Sequence, residues 1–288
     1  MLNKGMEKLI DFGIKAQKYL PDEITGVFTK KICTRIGRSR KFSNKLRFAK
    51  TYKIKWEDSL KCKDAKSVEE CVRKFSTLDD LFAREIKPEL TKPESTDPNT
   101  IISPAECYAR KVAAHRTFDI KGANYSLKKL LNKEDVPTKS EIFIFRLAPE
   151  QYHRFHSPIT SKIVKISEVG GTYKSVNPIL LDDVPVLQEN YRKIIEFENG
   201  MYMVTVGATC VGSVNLLVKE GDKVKHGQDI GAFGFGGSCI ALVVPYKIVK
   251  FNNNISANEK VFRPGEMVCT FSMANTQQTS RKTSRKTR

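Results

Sequence analysis

The chain has 288 residues, 40% of them hydrophobic and 28% charged, with 50 Lys and Arg against 32 Asp and Glu for a net charge of +18. That length and balance suit a globular chain able to bury a core, and argue against a disordered one. No run of about 18 apolar residues occurs, which argues against a membrane-spanning helix, and residues 1–20 lack the continuous apolar segment of a secretory signal.

The charge is concentrated at the ends. Residues 1–55 carry 15 Lys and Arg against 4 Asp and Glu, and the last ten residues carry five basic side chains and no acid, so the body between them is nearly neutral. Basic ends attract polyanions, either nucleic acid or an anionic membrane face. Residues 2–20 place Leu2, Met6, Leu9, Ile10 and Ile14 at helical spacing and stop at Pro21. Such a basic amphipathic helix either lies in a membrane interface or packs on the body with its lysines in water. Residues 30–55 interleave Lys and Arg with Ile32, Ile36, Phe42, Leu46, Phe48 and Tyr52, a pattern suited to a surface-docking helical segment.

Residues 76–86 predict a short helix capped by Ser76 or Thr77, with Asp79 and Asp80 in its first turn. Pro88, Pro93 and Pro98 mark the following stretch as a loop. From residue 101 the texture is β, with strands expected over 142–145, 162–166, 193–197, 202–206, 211–218 and 240–244, mostly antiparallel. A helix is expected over 122–132, and a turn-strand-turn over 221–231 in a small barrel-like sandwich. Residues 276–288 repeat Thr-Ser-Arg-Lys and read as a basic disordered tail. The seven cysteines, at 33, 62, 71, 107, 210, 239 and 269, form no CxxC pair and no group with histidines, which predicts reduced thiols and no metal.

Chemistry concentrates at two places. Gly236-Gly237-Ser238 stands between a Gly- and Phe-rich run and the apolar run 239–244. Two glycines ahead of a strand serve as a bulge or tight bend. They equally leave the Gly237 carbonyl open to the Ser238 hydroxyl, which attacks it if a base takes the hydroxyl proton. Of the four histidines, 115, 153, 156 and 226, two fall three apart in the stretch 146–158. His153 and His156 belong to a surface turn, to a metal site lacking an obvious third ligand, or to a base for Ser238. His226 lies in a Lys-rich turn and reads as solvated. Arg84 and Lys87 read as phosphate contacts or as a solvated helix face.

The segments 82–88, 103–106, 121–122 with 125–127, 146–158, 171 with 173–178, 206–213 and 233–238, in this order, resemble the phosphatidylserine decarboxylase family, in the branch whose processing site reads Gly-Gly-Ser. The resemblance implies an α+β fold with basic N-terminal helices and a β-rich, barrel-sandwich-like body that is cut between Gly237 and Ser238. It implies that Ser238 is the cleavage nucleophile and becomes a covalent pyruvoyl cofactor. His156 is the implied base for that cleavage and His153 the residue that assists decarboxylation or protonation. Ser103-Pro104-Ala105-Glu106-Cys107 departs from the family's Ser-Pro-x-Asp-Gly, so Glu106 stands where an Asp orients the base, with Asp182 and Asp183 as alternative carboxylates.

The expected organisation is a membrane-docking region over 1–60, a decarboxylase domain over 61–275 with a long chain to 237 and a short chain from 238, and the tail. The expected reaction converts phosphatidylserine to phosphatidylethanolamine and CO2 at an anionic membrane surface. The protein is then intracellular and peripheral on the membrane, with its two self-cleaved chains associated, a homodimer of such protomers and no nucleic-acid partner. The alternative is an unprocessed, non-enzymatic lipid-binding relative.

Overall fold

Short runs of branched and aromatic residues leave their backbone donors and acceptors unpaired until they find neighbours, and here they pair into sheets. The computed structural model describes residues 16–19, 21, 24, 31, 34–209, 213–236 and 238–273. The tail expected over 276–288 lies outside these residues, as does most of the helix expected over 2–20.

Among the described residues the strands are β1 (Thr100–Ile102), β2 (Cys107–Ala114), β3 (Thr117–Ile120), β4 (Ala123–Ser126), β5 (Ser140–Leu147), β6 (Arg154–His156), β7 (Ser161–Val169) and β8 (Arg192–Phe197). They continue as β9 (Tyr202–Gly207), β10 (Val214–Leu216), β11 (Lys223–Val224), β12 (Asp229–Phe233), β13 (Ser238–Val244), β14 (Lys247–Phe251), β15 (Lys260–Phe262) and β16 (Met267–Ser272). The helices are α1 (Thr34–Gly37), α2 (Phe42–Thr51), α3 (Val68–Arg73), α4 (Leu78–Phe82), α5 (Leu127–Leu131), α6 (Pro178–Leu181) and α7 (Val186–Glu189). The class is α+β, dominated by sheet.

Eight strands form one antiparallel sheet in the order β11-β7-β8-β9-β13-β5-β2-β15. Three smaller sheets accompany it: β1-β16-β14, β10-β12-β6 and β3-β4. The large sheet is apolar on both faces because its strands alternate two kinds of buried residue rather than buried with exposed. Ile240, Leu242 and Val244 of β13 join Phe143, Phe145 and Met203 on one face. Cys239, Ala241 and Val243 join Ile142, Ile144 and Val204 on the other. All seven residues of β13 are buried, and each large aliphatic side chain among them contributes about 1.5–3 kcal/mol.

A separate helical cluster precedes the sheet. Phe48, Ala49, Val72, Phe75, Leu78, Leu81 and Phe82 pack together, with Phe235 against them. Its members run from residue 48 to residue 82, on both sides of residue 60. Two of its helices start on side-chain caps. Ser67 accepts from the Glu70 amide at 3.2 Å for α3, and Thr77 accepts from the Asp80 amide at 3.0 Å for α4.

Four expectations are corrected. The end strands β11 and β15 of the large sheet do not pair with each other, so the described residues form no closed barrel; strands of two and three residues terminate an open sheet instead. The helix expected over 122–132 forms only as α5, because residues 123–126 pair with β3 and Ser126 then caps the helix. Cys62 and Cys71 are joined in a disulfide, with Cα atoms 5.0 Å apart, whereas Cys107, Cys239 and Cys269 are free and buried. The turn after Leu60 and the start of α3 bring the two thiols together within the helical cluster. His226 is buried rather than solvated, its ring nitrogens held by Thr160 Oγ1 at 2.8 Å and the Thr100 carbonyl at 2.9 Å.

Candidate active site

Ser238 is the first residue of β13, fully buried, and its position is fixed on both sides: it pairs with Leu147 of β5 and with Gly207 of β9. Gly237 lies outside the described residues. Gly236 has φ +140°, a conformation that L side chains rarely adopt, which accounts for a glycine there.

The segment between β5 and β6 curls back beside this strand start. Gln151 holds the curl: its amide donates to the Ala148 carbonyl at 3.0 Å, and its Oε1 accepts from the Ala148 amide at 2.7 Å. The curl delivers His153, which is fully buried, to Ser238. His153 Nδ1 is 3.1 Å from Ser238 Oγ, and Nε2 is 2.9 Å from the Ala148 carbonyl. A carbonyl oxygen only accepts, so Nε2 carries the ring proton and Nδ1 offers its lone pair to the Ser238 hydroxyl. Burial, assisted by the nearby Arg84 charge, pushes the His153 pKa down to about 3, so the ring is a neutral acceptor at physiological pH. The ring of Phe82 stacks on His153 at 3.8 Å, and Phe235 and Phe48 complete an aromatic roof.

His156 faces elsewhere. Its Nδ1 donates to the Gly227 carbonyl at 2.9 Å, and its Nε2 accepts from the Tyr152 hydroxyl at 3.0 Å. Burial lowers its pKa as well. Both ring nitrogens are thus engaged away from Ser238. Glu106 does not hydrogen-bond either histidine; its Oε2 accepts from the Tyr152 amide at 3.0 Å, and Oε1 lies 3.9 Å from Lys55 Nζ. The turn that carries Glu106 also supplies the Pro104 carbonyl to the His156 amide at 2.8 Å. It therefore clamps the backbone of the histidine segment at two points. Asp182 pairs with Arg110 at 2.8 Å and Lys121 at 3.2 Å, and Asp183 with Lys18 at 2.8 Å, so both alternative carboxylates are committed elsewhere.

Of the residues singled out in the sequence, the structure therefore brings Ser238 and His153 together and leaves His156 and Glu106 one step back, holding Tyr152. Residues of the site that the sequence reading passed over are the Ala148 carbonyl, Tyr152 and the Phe82 ring. The segment containing Phe82 carried part of the resemblance, but nothing in its spacing announces a ring stacked on an imidazole. The arrangement is a buried hydroxyl at the start of a strand with a neutral imidazole acceptor on it, and it suits proton removal from Ser238.

The sequence profile described as phosphatidylserine decarboxylase matches residues 78–270, which span both the roof helix and the Ser238 strand. The chain belongs to the phosphatidylserine decarboxylase family. It is 37% identical over 200 residues to phosphatidylserine decarboxylase proenzyme 2 of Komagataella phaffii, an alignment covering 64% of this chain and 20% of that protein. It is 36% identical over 196 residues to the proenzyme 2 of Saccharomyces cerevisiae, covering 64% of this chain and 17% of that protein. A bacterial phosphatidylserine decarboxylase proenzyme, from Anoxybacillus flavithermus, is 35% identical over 205 residues, covering 68% of this chain and 73% of its own. The chain thus spans about a fifth of the length of the two yeast relatives and most of the shorter bacterial member of the phosphatidylserine decarboxylase family.

Proposed function

We propose that the chain is a pyruvoyl-dependent phosphatidylserine decarboxylase that makes its own cofactor by cutting itself between Gly237 and Ser238. The observation that carries this reading is the 3.1 Å contact between the neutral His153 Nδ1 and Ser238 Oγ inside a water-excluded site. His153 takes the hydroxyl proton, and Ser238 Oγ adds to the Gly237 carbonyl carbon. The Gly237–Ser238 amide breaks as the ester forms, with the proton passing to the freed amine. Loss of the Ser238 α-proton then expels the Gly237 carboxylate, and hydrolysis of the resulting dehydroalanine releases ammonia. This gives to His153 the role that the family resemblance gives to His156, for which the structure supports a positioning role through Tyr152.

The residues around Ser238 fit a pyruvoyl group: the strand start that would bear it is held by two neighbouring strands, and a free imidazole lone pair faces it. Such a group supplies a carbonyl that captures the amine of phosphatidylserine and draws electrons as CO2 departs. The chain's own contribution is then to exclude water under the Phe82 and Phe235 rings and to keep His153 positioned for proton movement at the reacting carbon. The two chains, residues 1–237 and 238–288, stay together because β13 is bonded to β5 and β9 in the centre of the sheet.

Docking to an anionic membrane is supported by the basic segment ahead of the roof. Lys31, Arg35, Arg40 and Lys41 line a groove of about 590 Å3 together with Ile36, Ser39 and Asn44. Each such cation contributes roughly 1 kcal/mol near an anionic leaflet. No helix among the described residues is long and apolar enough to cross a membrane.

Intact-mass measurement of the purified protein tests the reading. Two chains are expected, the shorter with a blocked N-terminus, together with CO2 release from phosphatidylserine. Ser238→Ala is expected to run as one chain of 32.6 kDa with no activity. A wild-type protein that stays intact, or a Ser238→Ala variant that decarboxylates the lipid, overturns the mechanism.

A further inference from the structure

Arg84 is 3% exposed, yet among the described residues neither Nε nor Nη1 of its guanidinium has a hydrogen-bond partner. Its third nitrogen, Nη2, donates to the Glu150 carbonyl at a long 3.4 Å. A buried cation left this way is costly, and a planar fork of N–H donors matches an anionic pair of oxygens. The neighbouring acids do not fill the role. Glu106 and Asp58 are close enough to favour the charge of Arg84, but Glu106 commits its oxygens to the Tyr152 amide and Lys55, and neither acid bonds the guanidinium. Arg84 follows Phe82 by two residues, and Phe82 is the ring that covers His153. Its charge is felt at His153. The unpartnered cation and the Ser238–His153 pair therefore share one roof, and whatever admits a ligand to one admits it to the other.

The geometry points to Arg84 as an oxyanion subsite of this active site, its free guanidinium nitrogens taking the anionic oxygens of the substrate headgroup. The inference rests on the decarboxylase reading for the identity of that headgroup, which carries two such groups, a carboxylate and a phosphodiester. Self-cleavage needs no external anion, so the subsite serves substrate use and is dispensable for maturation.

The test compares wild type, Arg84→Met and Arg84→Lys as full-length protein, using short-chain phosphatidylserine as substrate and short-chain phosphatidylethanolamine as a ligand that has the phosphodiester but no carboxylate. Arg84→Met is expected to mature into two chains and to melt at or above the wild-type temperature, because it removes an uncompensated buried charge. Its kcat/KM is expected to fall about 100-fold, the loss of charge-assisted hydrogen bonds, with partial recovery in Arg84→Lys. If phosphatidylethanolamine binding weakens in parallel, the anion is the phosphodiester; if it is unchanged, the anion is the carboxylate. A kcat/KM within about three-fold of wild type, well short of the loss of one charged hydrogen bond, overturns the inference. So does a loss that comes with lower melting temperature and failed maturation, which assigns Arg84 to support of the Glu150 turn. A mature wild-type protein that releases no CO2 sinks the decarboxylase reading instead. The subsite is then judged on binding alone, with phosphatidylserine, which stays intact and carries both anionic groups, as the ligand: it stands if phosphatidylserine raises the melting temperature of wild type more than that of Arg84→Met, and falls otherwise.

Discussion

The strand that carries Ser238 and the helical roof that carries Phe82 meet at one imidazole, and they are held by different means. Strand β13 is paired at seven positions to β5 and at six to β9, with every residue buried. The roof is built from helices of four to ten residues, too short to persist alone in water. It depends on the cluster from Phe48 to Phe82, on two side-chain caps and on the Cys62–Cys71 disulfide. Buried Lys45 adds a bond to the Phe75 carbonyl within the roof, and one tie joins the roof to the Ser238 side: the Asp79 carboxylate accepts from the Phe235 amide at 2.9 Å. Ser238 is thus held by strand pairing on both sides, while the roof over it rests on side-chain packing, caps and one disulfide.

The sharpest way to break this comparison is to remove each histidine in turn. His153→Gln takes away the lone pair on Ser238 Oγ and is expected to slow self-cleavage about 100- to 10,000-fold, the range for a positioned base. His156→Gln disturbs Tyr152 and the Gly227 carbonyl but not the hydroxyl, so the expected slowing is far smaller. Time courses of chain separation on a denaturing gel check both. The reverse order of effects returns the base role to His156.

That ordering marks where the sequence stops being legible. Ser238 and the histidine pair stand out in the sequence because Gly-Gly-Ser precedes an apolar run and two of the four histidines fall three apart. Which histidine reaches the serine depends on the curl from Ala148 to His153, a local bend with no sequence signature, and on the register that sets Ser238 against Leu147, a long-range fact. The central strands were readable from their apolar runs. The three-residue strands β1, β6 and β15 were not, since so short a run carries no periodicity. The disulfide was hidden for a similar reason: Cys62 and Cys71, nine residues apart, are joined by a turn and a helix start, and the odd cysteine total pointed towards free thiols.

The next effect in size is the response of stability to pH. An unfolded histidine titrates near 6.5, whereas burial holds folded His153 neutral down to about 3. Between those values the unfolded chain binds more protons, so stability rises with pH. The contribution is complete above about pH 6.5 and is lost as pH falls towards about 3, a few kcal/mol in all. His156, also lowered by burial, acts in the same direction. Denaturant unfolding at stepped pH is expected to show a His153→Gln variant with a shallower loss of stability below pH 6.5 than wild type. Self-cleavage by His153 is expected to hold its rate from pH 8 to 5, where an unshifted histidine base would be only about 3% neutral at the lower limit. A rate that falls with a midpoint near 6.5 rejects the buried-base assignment.

Reducing the disulfide separates the two regions directly. Opening a loop of this length removes about 2–3 kcal/mol of stabilisation. Because both cysteines lie in the roof, Cys62→Ser or added dithiol is expected to speed amide hydrogen exchange over residues 42–82. The amides of β13 are expected to keep their protection. Equal loosening of both would show that roof and sheet unfold as one unit.

The smallest expected effect concerns Glu106, and it decides how the longer acidic arm is used. In the structure its oxygen accepts from the buried Tyr152 amide, a task that needs an acceptor but not a charge. Glu106→Gln keeps a carbonyl oxygen at the same reach, so self-cleavage is expected to change by less than about three-fold, within one neutral hydrogen bond. Glu106→Ala leaves the amide unsatisfied at a cost of about 1–3 kcal/mol and loosens the turn that carries both histidines. A carboxylate that instead orients a catalytic imidazole cannot be replaced by an amide without setting the wrong tautomer, a change that costs orders of magnitude in rate. A large defect in Glu106→Gln would therefore mean that Glu106 turns from the Tyr152 amide to His156 during cleavage, and that the second histidine, not the first, activates the serine.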